Sequence, residues 1–127
     1  MRIESKENAS QRLKDALEFL NSAMDNLDKN RFKAALVDAA DASIAANDAF
    51  TIFMIEQKAS TDHWEAIAMH KKAGQKVSEN RVAILKRLID FRHKKGYRSV
   101  SVSKSLAAQC VADATKFVRW VQEKMSY

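Results

Sequence analysis

The densest cluster of ionisable side chains in the sequence is Arg92, His93, Lys94, Lys95, Tyr97 and Arg98, at the end of the stretch Ile84-Leu85-Lys86-Arg87-Leu88-Ile89-Asp90-Phe91-Arg92-His93-Lys94-Lys95-Gly96-Tyr97-Arg98. Guanidinium groups grip phosphate oxygens in pairs and imidazole exchanges protons near neutral pH, so this set has the chemistry to hold a phosphate and to act on one. Leu85, Leu88 and Ile89, with the aliphatic stem of Arg92, recur at i, i+3, i+4 and i+7. That spacing predicts one helix face, with Arg92 at the edge of the buried stripe. Lys94 and Lys95 suit a last helical turn, and Gly96 suits a left-handed C′ position. With the helix stopped there, Tyr97 and Arg98 are expected to turn back beside Arg92 and His93, gathering an imidazole, a phenol and two guanidiniums.

The elements that must position this corner are helical. The chain has 127 residues, no proline and only two glycines, Gly74 and Gly96. Its size and composition predict a single domain, residues 1–127, that is all-α: an up-and-down bundle of four long helices plus one short helix. Apolar periodicity places the helices at about Ser5 to Leu27, Arg31 to Gln57, His63 to Ala73, Ser78 to Gly96 and Lys104 to Met125. Asp28 or Asn30 is available to cap the second helix, Ala59-Ser60-Thr61-Asp62 the third, and Ser103 the fifth. Gly74 reads as the stop of the third. The valine–serine alternation from Arg98 to Ser103 reads as a loop, because no second strand is evident to pair with it.

Other polar residues have plainer readings. Asp38, Asp41, Ser43, Asn47 and Asp48 lie near the apolar stripe of the alanine-rich second helix, where they line a site or build an interhelical hydrogen-bond network; the structural reading is preferred. His63 and His70 are seven residues apart, without the i, i+4 spacing of helical metal ligands, so no metal or other cofactor is expected. Cys110 lies in the apolar stripe of the last helix and reads as a small buried hydrophobe. Trp64 reads as a packing or interface aromatic, and Trp64, Trp120 and the helix-four corner are candidates for a dimer surface.

Net charge is +6, unevenly spread: residues 1–60 carry 8 Lys+Arg against 10 Asp+Glu, a balance of −2, and residues 61–127 carry 14 against 6, a balance of +8. A basic half suggests an anionic partner such as a nucleotide, a nucleic acid or an acidic protein face, and a solvated lysine-rich surface is the plain alternative. One cysteine suits a reducing compartment, and no apolar run approaches a membrane span or a signal core. The expectation is a soluble, cytoplasmic protein with no membrane partner.

Two long helices, an alanine- and serine-rich second one, a short histidine-bearing third, a fourth ending in Arg-x4-Tyr and a fifth after a serine-rich loop together resemble the HEPN domains (higher eukaryotes and prokaryotes nucleotide-binding). The residues carrying the resemblance are Leu88 through Tyr97, then Ser103, then Ala107 through Phe117 and Val118. It implies a helical bundle that forms a homodimer about a two-fold axis, bringing the motif of each subunit to a shared cleft. Active HEPN ribonucleases carry Arg-x4-6-His, often with a polar residue directly after the arginine. Arg92 matches the arginine and His93 the polar follower, whereas Tyr97 stands where the histidine is expected.

That departure divides the functional expectations. A phenol with a pKa of about 10 is a poor general base for the RNA 2′-hydroxyl, so phosphate binding by Arg92, Arg98, Lys94 and Lys95 transfers more safely than cleavage. The resemblance further implies work beside a minimal nucleotidyltransferase in a toxin–antitoxin-like pair, with Tyr97 as an acceptor of transferred nucleotide. Three readings stand open: a dimeric nucleotide- or RNA-binding module; a metal-independent endoribonuclease with a degenerate motif, in which Arg92, His93 and Tyr97 are catalytic; and a non-catalytic helical interaction module in which Arg92 and Tyr97 brace the corner.

Overall fold

The computed structural model describes residues 2–60 and 62–126, leaving Met1, Thr61 of the proposed helix-three cap, and Tyr127 outside the description. Among the described residues five helices form the fold: α1 (Ala9–Asp28), α2 (Phe32–Ile55), α3 (His63–Gly74), α4 (Val82–Phe91) and α5 (Lys104–Met125). A 3-10 turn, Lys6–Asn8, leads into α1, and a π-helical turn, Arg92–Gly96, continues α4. The fold is the expected all-α bundle, organised round α2.

α2 packs against every other helix. Ala35, Ala39, Ala42, Ala45, Ala46 and Ala49 are fully buried along it, with Leu36, Phe50 and Ile52. Methyl side chains let neighbouring backbones approach closely, and burial on several faces is why α2 lacks a clean polar side. α1 contributes Ala16, Leu20 and Ala23 to this core, and α5 contributes Ala107, Cys110, Ala114, Phe117, Val118 and Val121. The α5 limits coincide with the expected ones, and Ser103 caps that helix, its Oγ accepting from the Leu106 N–H at 3.1 Å. Asp62 caps α3 in the same way, its Oδ1 accepting from the Trp64 N–H at 2.8 Å.

Several local expectations are corrected. Neither glycine has a positive φ; among the described residues the left-handed positions are Asn30 (φ 61), Glu56 (φ 52) and Ser78 (φ 57). Gly74 belongs to α3 and is required by space, since a Cβ there would stand 2.7 Å from the Glu79 carbonyl oxygen. At Gly96 a Cβ would stand 2.8 Å from Val37 Cγ2, so this glycine lets the π-helical turn lie close against α2. Arg31, not Asp28 or Asn30, occupies the α2 N-cap, without a side-chain cap bond. α2 ends at Ile55 because Glu56 turns left-handed and Gln57–Lys58 becomes a short strand, pairing antiparallel with Arg2–Ile3. The two-residue strands were unexpected, and Lys58 Nζ adds an ion pair to Glu4 at 3.1 Å. α4 starts at Val82 instead of Ser78, because Ser78 reverses the chain and Asn80 Oδ1 accepts the Val82 N–H at 3.1 Å.

A buried polar network joins α2, α3 and the start of α4. His70 is fully buried; its Nδ1 lies 2.9 Å from Asn47 Oδ1, and its Nε2 accepts the Arg81 N–H at 2.9 Å. Acceptance at Nε2 fixes the proton on Nδ1, which donates to Asn47, while Asn47 Nδ2 donates to the Ala66 carbonyl at 3.2 Å. Burial pushes the His70 imidazole down to about 4, so the ring is neutral. Phe50, Phe117 and Trp120 surround it with ring centroids 5.4 to 5.5 Å away. Trp120 is buried here, its Nε1 donating to Glu79 at 2.6 Å, which removes it from any dimer surface.

Candidate functional site

The polar stripe of α2 divides its work by direction. Asp38 accepts from Ser22 Oγ at 2.7 Å and Asn26 Nδ2 at 2.9 Å, and Asp48 meets Arg12 at 2.9 Å, so both bind α1 to α2. Ser43 bonds back to the Ala39 carbonyl within its own helix. Asp41 faces the other way, toward the end of α4.

There, Arg92 Nε lies 2.8 Å from Asp41 Oδ1. The N–H is not aligned on that oxygen, so the contact is a close charge pair and not a well-formed hydrogen bond. On its other side the guanidinium carbon stands 4.6 Å from the centroid of the Tyr97 ring, within cation–π range. The side chains of Arg92 and Asp41 are 20% and 27% exposed, which leaves the pair at the edge of the buried face. Burial pushes the Asp41 carboxyl above the usual aspartate range, and the attraction of Arg92 offsets only part of that. Asp48 is raised for the same first cause, with Arg12 opposing.

The π-helical turn explains why Arg92 and Tyr97 meet. Residues four apart stack on an α-helix, and widening the turn brings the i+5 side chain over the i position. Tyr97 follows the turn with φ −104 and ψ 0, and the ring is exposed. π-turns inside helices often occur at functional sites, and this one falls on the residues that sequence chemistry singles out.

Arg92 lines a concavity of about 340 Å³ with Asp41, Ile44, Asp48, Ser60, Asp62 and His63. His93 does not share it. The next residue round the helix, it opens onto a neighbouring concavity of about 470 Å³ with Asp62, His63, Trp64 and Asp90. Lys94 borders a third, with Lys86, Arg87, Asp90 and Phe91. Lys95 is half-buried, and Arg98 is exposed with its carbonyl oxygen accepting from Lys33 Nζ at 2.8 Å. The structure therefore brings Arg92 and Tyr97 together and turns His93 and Lys94 onto other faces. Two residues carry more than the sequence assigned them: Asp41 as the counter-charge of Arg92, and His63 as the wall between two concavities. Their signals were the polar stripe on α2 and the place of His63 at the start of α3, next to its cap Asp62.

Among the described residues no group of three or more His, Cys, Asp or Glu side chains could hold a metal ion, and no helix is long and apolar enough to cross a membrane. Cys110 is buried, and burial pushes its thiol up to about 11, so it has the environment of a packing residue and not a nucleophile.

A helical bundle built round one alanine-rich helix, with an arginine–tyrosine pair at a break after the fourth, defines a class before it defines an activity. Residues 9–124 match the HEPN domain family, and with nearly the whole chain covered the protein belongs to that family. Membership places it among proteins whose role is nucleotide- or RNA-related in general. No curated protein matches the chain.

Proposed function

We propose that the chain is a HEPN module of the Arg-x4-Tyr type that binds nucleotide or RNA phosphates between two copies of itself, with Arg92 of each copy facing a shared gap. The observation that carries this reading is the posture of Arg92, 2.8 Å from Asp41 and 4.6 Å from the Tyr97 centroid, inside a segment whose other charges are Lys94, Lys95 and Arg98. A guanidinium already held in place loses little further freedom on gripping a phosphate. Asp41 approaches Nε, so the Nη edge is the one a phosphate takes in a two-pronged contact. Asp41, Asp48 and Asp62 repel an anion from the concavity behind. The phosphate accordingly lies on the outer side of the guanidinium, toward the basic corner.

The partner in this reading is a minimal nucleotidyltransferase, in a toxin–antitoxin-like pair in the cytoplasm. Tyr97 is 63% exposed, so its phenol is accessible as an acceptor. Its oxygen would bond to the α-phosphorus of a nucleoside triphosphate as pyrophosphate leaves and the phenolic proton passes to solvent. Binding of a short single-stranded RNA across a salt series, with wild type and Arg92→Ala, tests the phosphate reading: affinity that falls with salt and with the substitution supports it, and no binding at low salt rejects it.

One observation favours a second reading. The same Asp41 and Tyr97 contacts satisfy Arg92 within the chain, as a structural brace requires. If Arg92→Ala lowers folding stability and leaves ligand binding unchanged, the interaction-module reading prevails.

A further inference from the structure

The two tryptophans have opposite surroundings. Trp120 is packed among Phe50, Phe117 and His70, whereas Trp64, in the first turn of α3, is 69% exposed. Trp64 lines two concavities at once. On one side lies the space of about 470 Å³ bordered by Asp62, His63, Asp90 and His93 over a floor of Ile67 and Ile89. On the other is a space of about 460 Å³ bordered by Lys71 and Lys86, and the Lys86 ammonium stands 5.7 Å from the indole centroid.

We propose that Trp64 is a stacking platform for a nucleobase, which sits in the histidine- and carboxylate-bordered concavity while its phosphates run over Lys71 and Lys86. The proposal rests on the nucleotide or RNA reading above and adds the part of the ligand that Arg92 leaves unassigned. A base has a flat π face and an edge of donors and acceptors, so it needs an aromatic wall, an apolar floor and polar groups at the rim. All three meet here: Trp64 is the wall, Ile67 and Ile89 the floor, and Asp62, Asp90, His63 and His93 the rim. Carboxylates only accept hydrogen bonds, so they favour bases with an exocyclic amino group, adenine, cytosine or guanine, over uracil. The same carboxylates repel phosphate and direct the backbone toward the lysines.

A protein partner fits less well. The centres of protein interfaces are depleted in charge, whereas four of the seven residues bordering this concavity are titratable: Asp62, His63, Asp90 and His93.

The test uses the whole chain, with an oligoadenylate of roughly ten nucleotides as the base-bearing probe and pyrophosphate as the base-free one, read by tryptophan fluorescence and by direct binding. Oligoadenylate should quench the exposed indole; Trp64→Ala should weaken it roughly tenfold, Trp64→Phe should retain most of the affinity, and pyrophosphate should bind all three alike. Oligoadenylate binding to Trp64→Ala as tight as to wild type overturns the proposal. So does a Trp64→Ala that changes only the oligomeric state by sedimentation, which would make this face a protein interface. If Arg92→Ala binds normally while Trp64→Ala does not, the stacking platform stands and the arginine corner falls; the reverse pattern keeps the corner and removes the platform. Wild type without affinity for either probe at low salt overturns both.

Discussion

Arg92 and Asp41 meet at 2.8 Å although 51 positions separate them in the chain, one at the break after α4 and the other midway along α2. Asp41 sets the orientation of the guanidinium and also competes with any anion that approaches it. Asp41→Asn removes the competing charge with little change in side-chain size, so affinity for a short RNA at low salt should rise a few-fold. A fall in affinity would mean that the carboxylate is needed to hold the arginine in its working posture.

The same carboxyl has a pH signature. Its folded pKa lies above the unfolded one because burial outweighs the pull of Arg92. The folded state thus takes up the proton more readily, and Asp41 adds stability as pH falls through its raised pKa; Asp48 acts in the same direction. Asp41→Asn should remove its part of that gain, visible in urea denaturation at successive acid pH values. An unchanged pH profile would contradict it.

His70 works against those two. With a folded pKa of about 4 against an unfolded value of about 6.5, its neutral form contributes stability fully present above pH 6.5 and lost as pH falls toward 4, on the order of 3 kcal/mol. His70→Gln should be less stable at neutral pH and show a flatter slope across that window. Parallel profiles for the two proteins would assign the acid sensitivity elsewhere.

Gly96→Ala tests close packing separately from chemistry. The added methyl would meet Val37 Cγ2 at 2.8 Å with no unfavourable φ to complicate the reading, so a loss of about 1–3 kcal/mol is expected. Val37→Ala in the same chain should recover much of it, and a double-mutant cycle gives the coupling. Additive losses would show that the glycine is needed for some other reason.

How much of this is legible in the sequence differs by element. α5 can be bounded from its apolar stripe and Ser103, because cap and periodicity act locally. The start of α4 cannot, since it depends on the reversal at Ser78 and on Glu79 being drawn to Trp120, a hydrogen bond spanning 41 positions. Both glycines read as conformational stops when their need is spatial, and space depends on which helix arrives opposite. Arg92 and Tyr97 are expected at one corner and are found there, though through a π-turn. The separation of His93 from Arg92 follows from their adjacency on a helix, which turns consecutive side chains about 100° apart. The pairing of Arg92 with Asp41 is beyond local reasoning, although Asp41 stands among the polar residues of the α2 stripe.

The central claim is that paired Arg92 side chains hold phosphate across a two-fold gap, and salt-dependent RNA binding measured alongside sedimentation, for wild type and Arg92→Ala, tests it most directly. The expected result is a dimer whose affinity falls with salt by a log–log slope of about −0.7 per phosphate neutralised, and a variant whose slope is shallower by at least about that amount. A strictly monomeric protein, or one whose RNA affinity and salt slope are the same with and without Arg92, would contradict it.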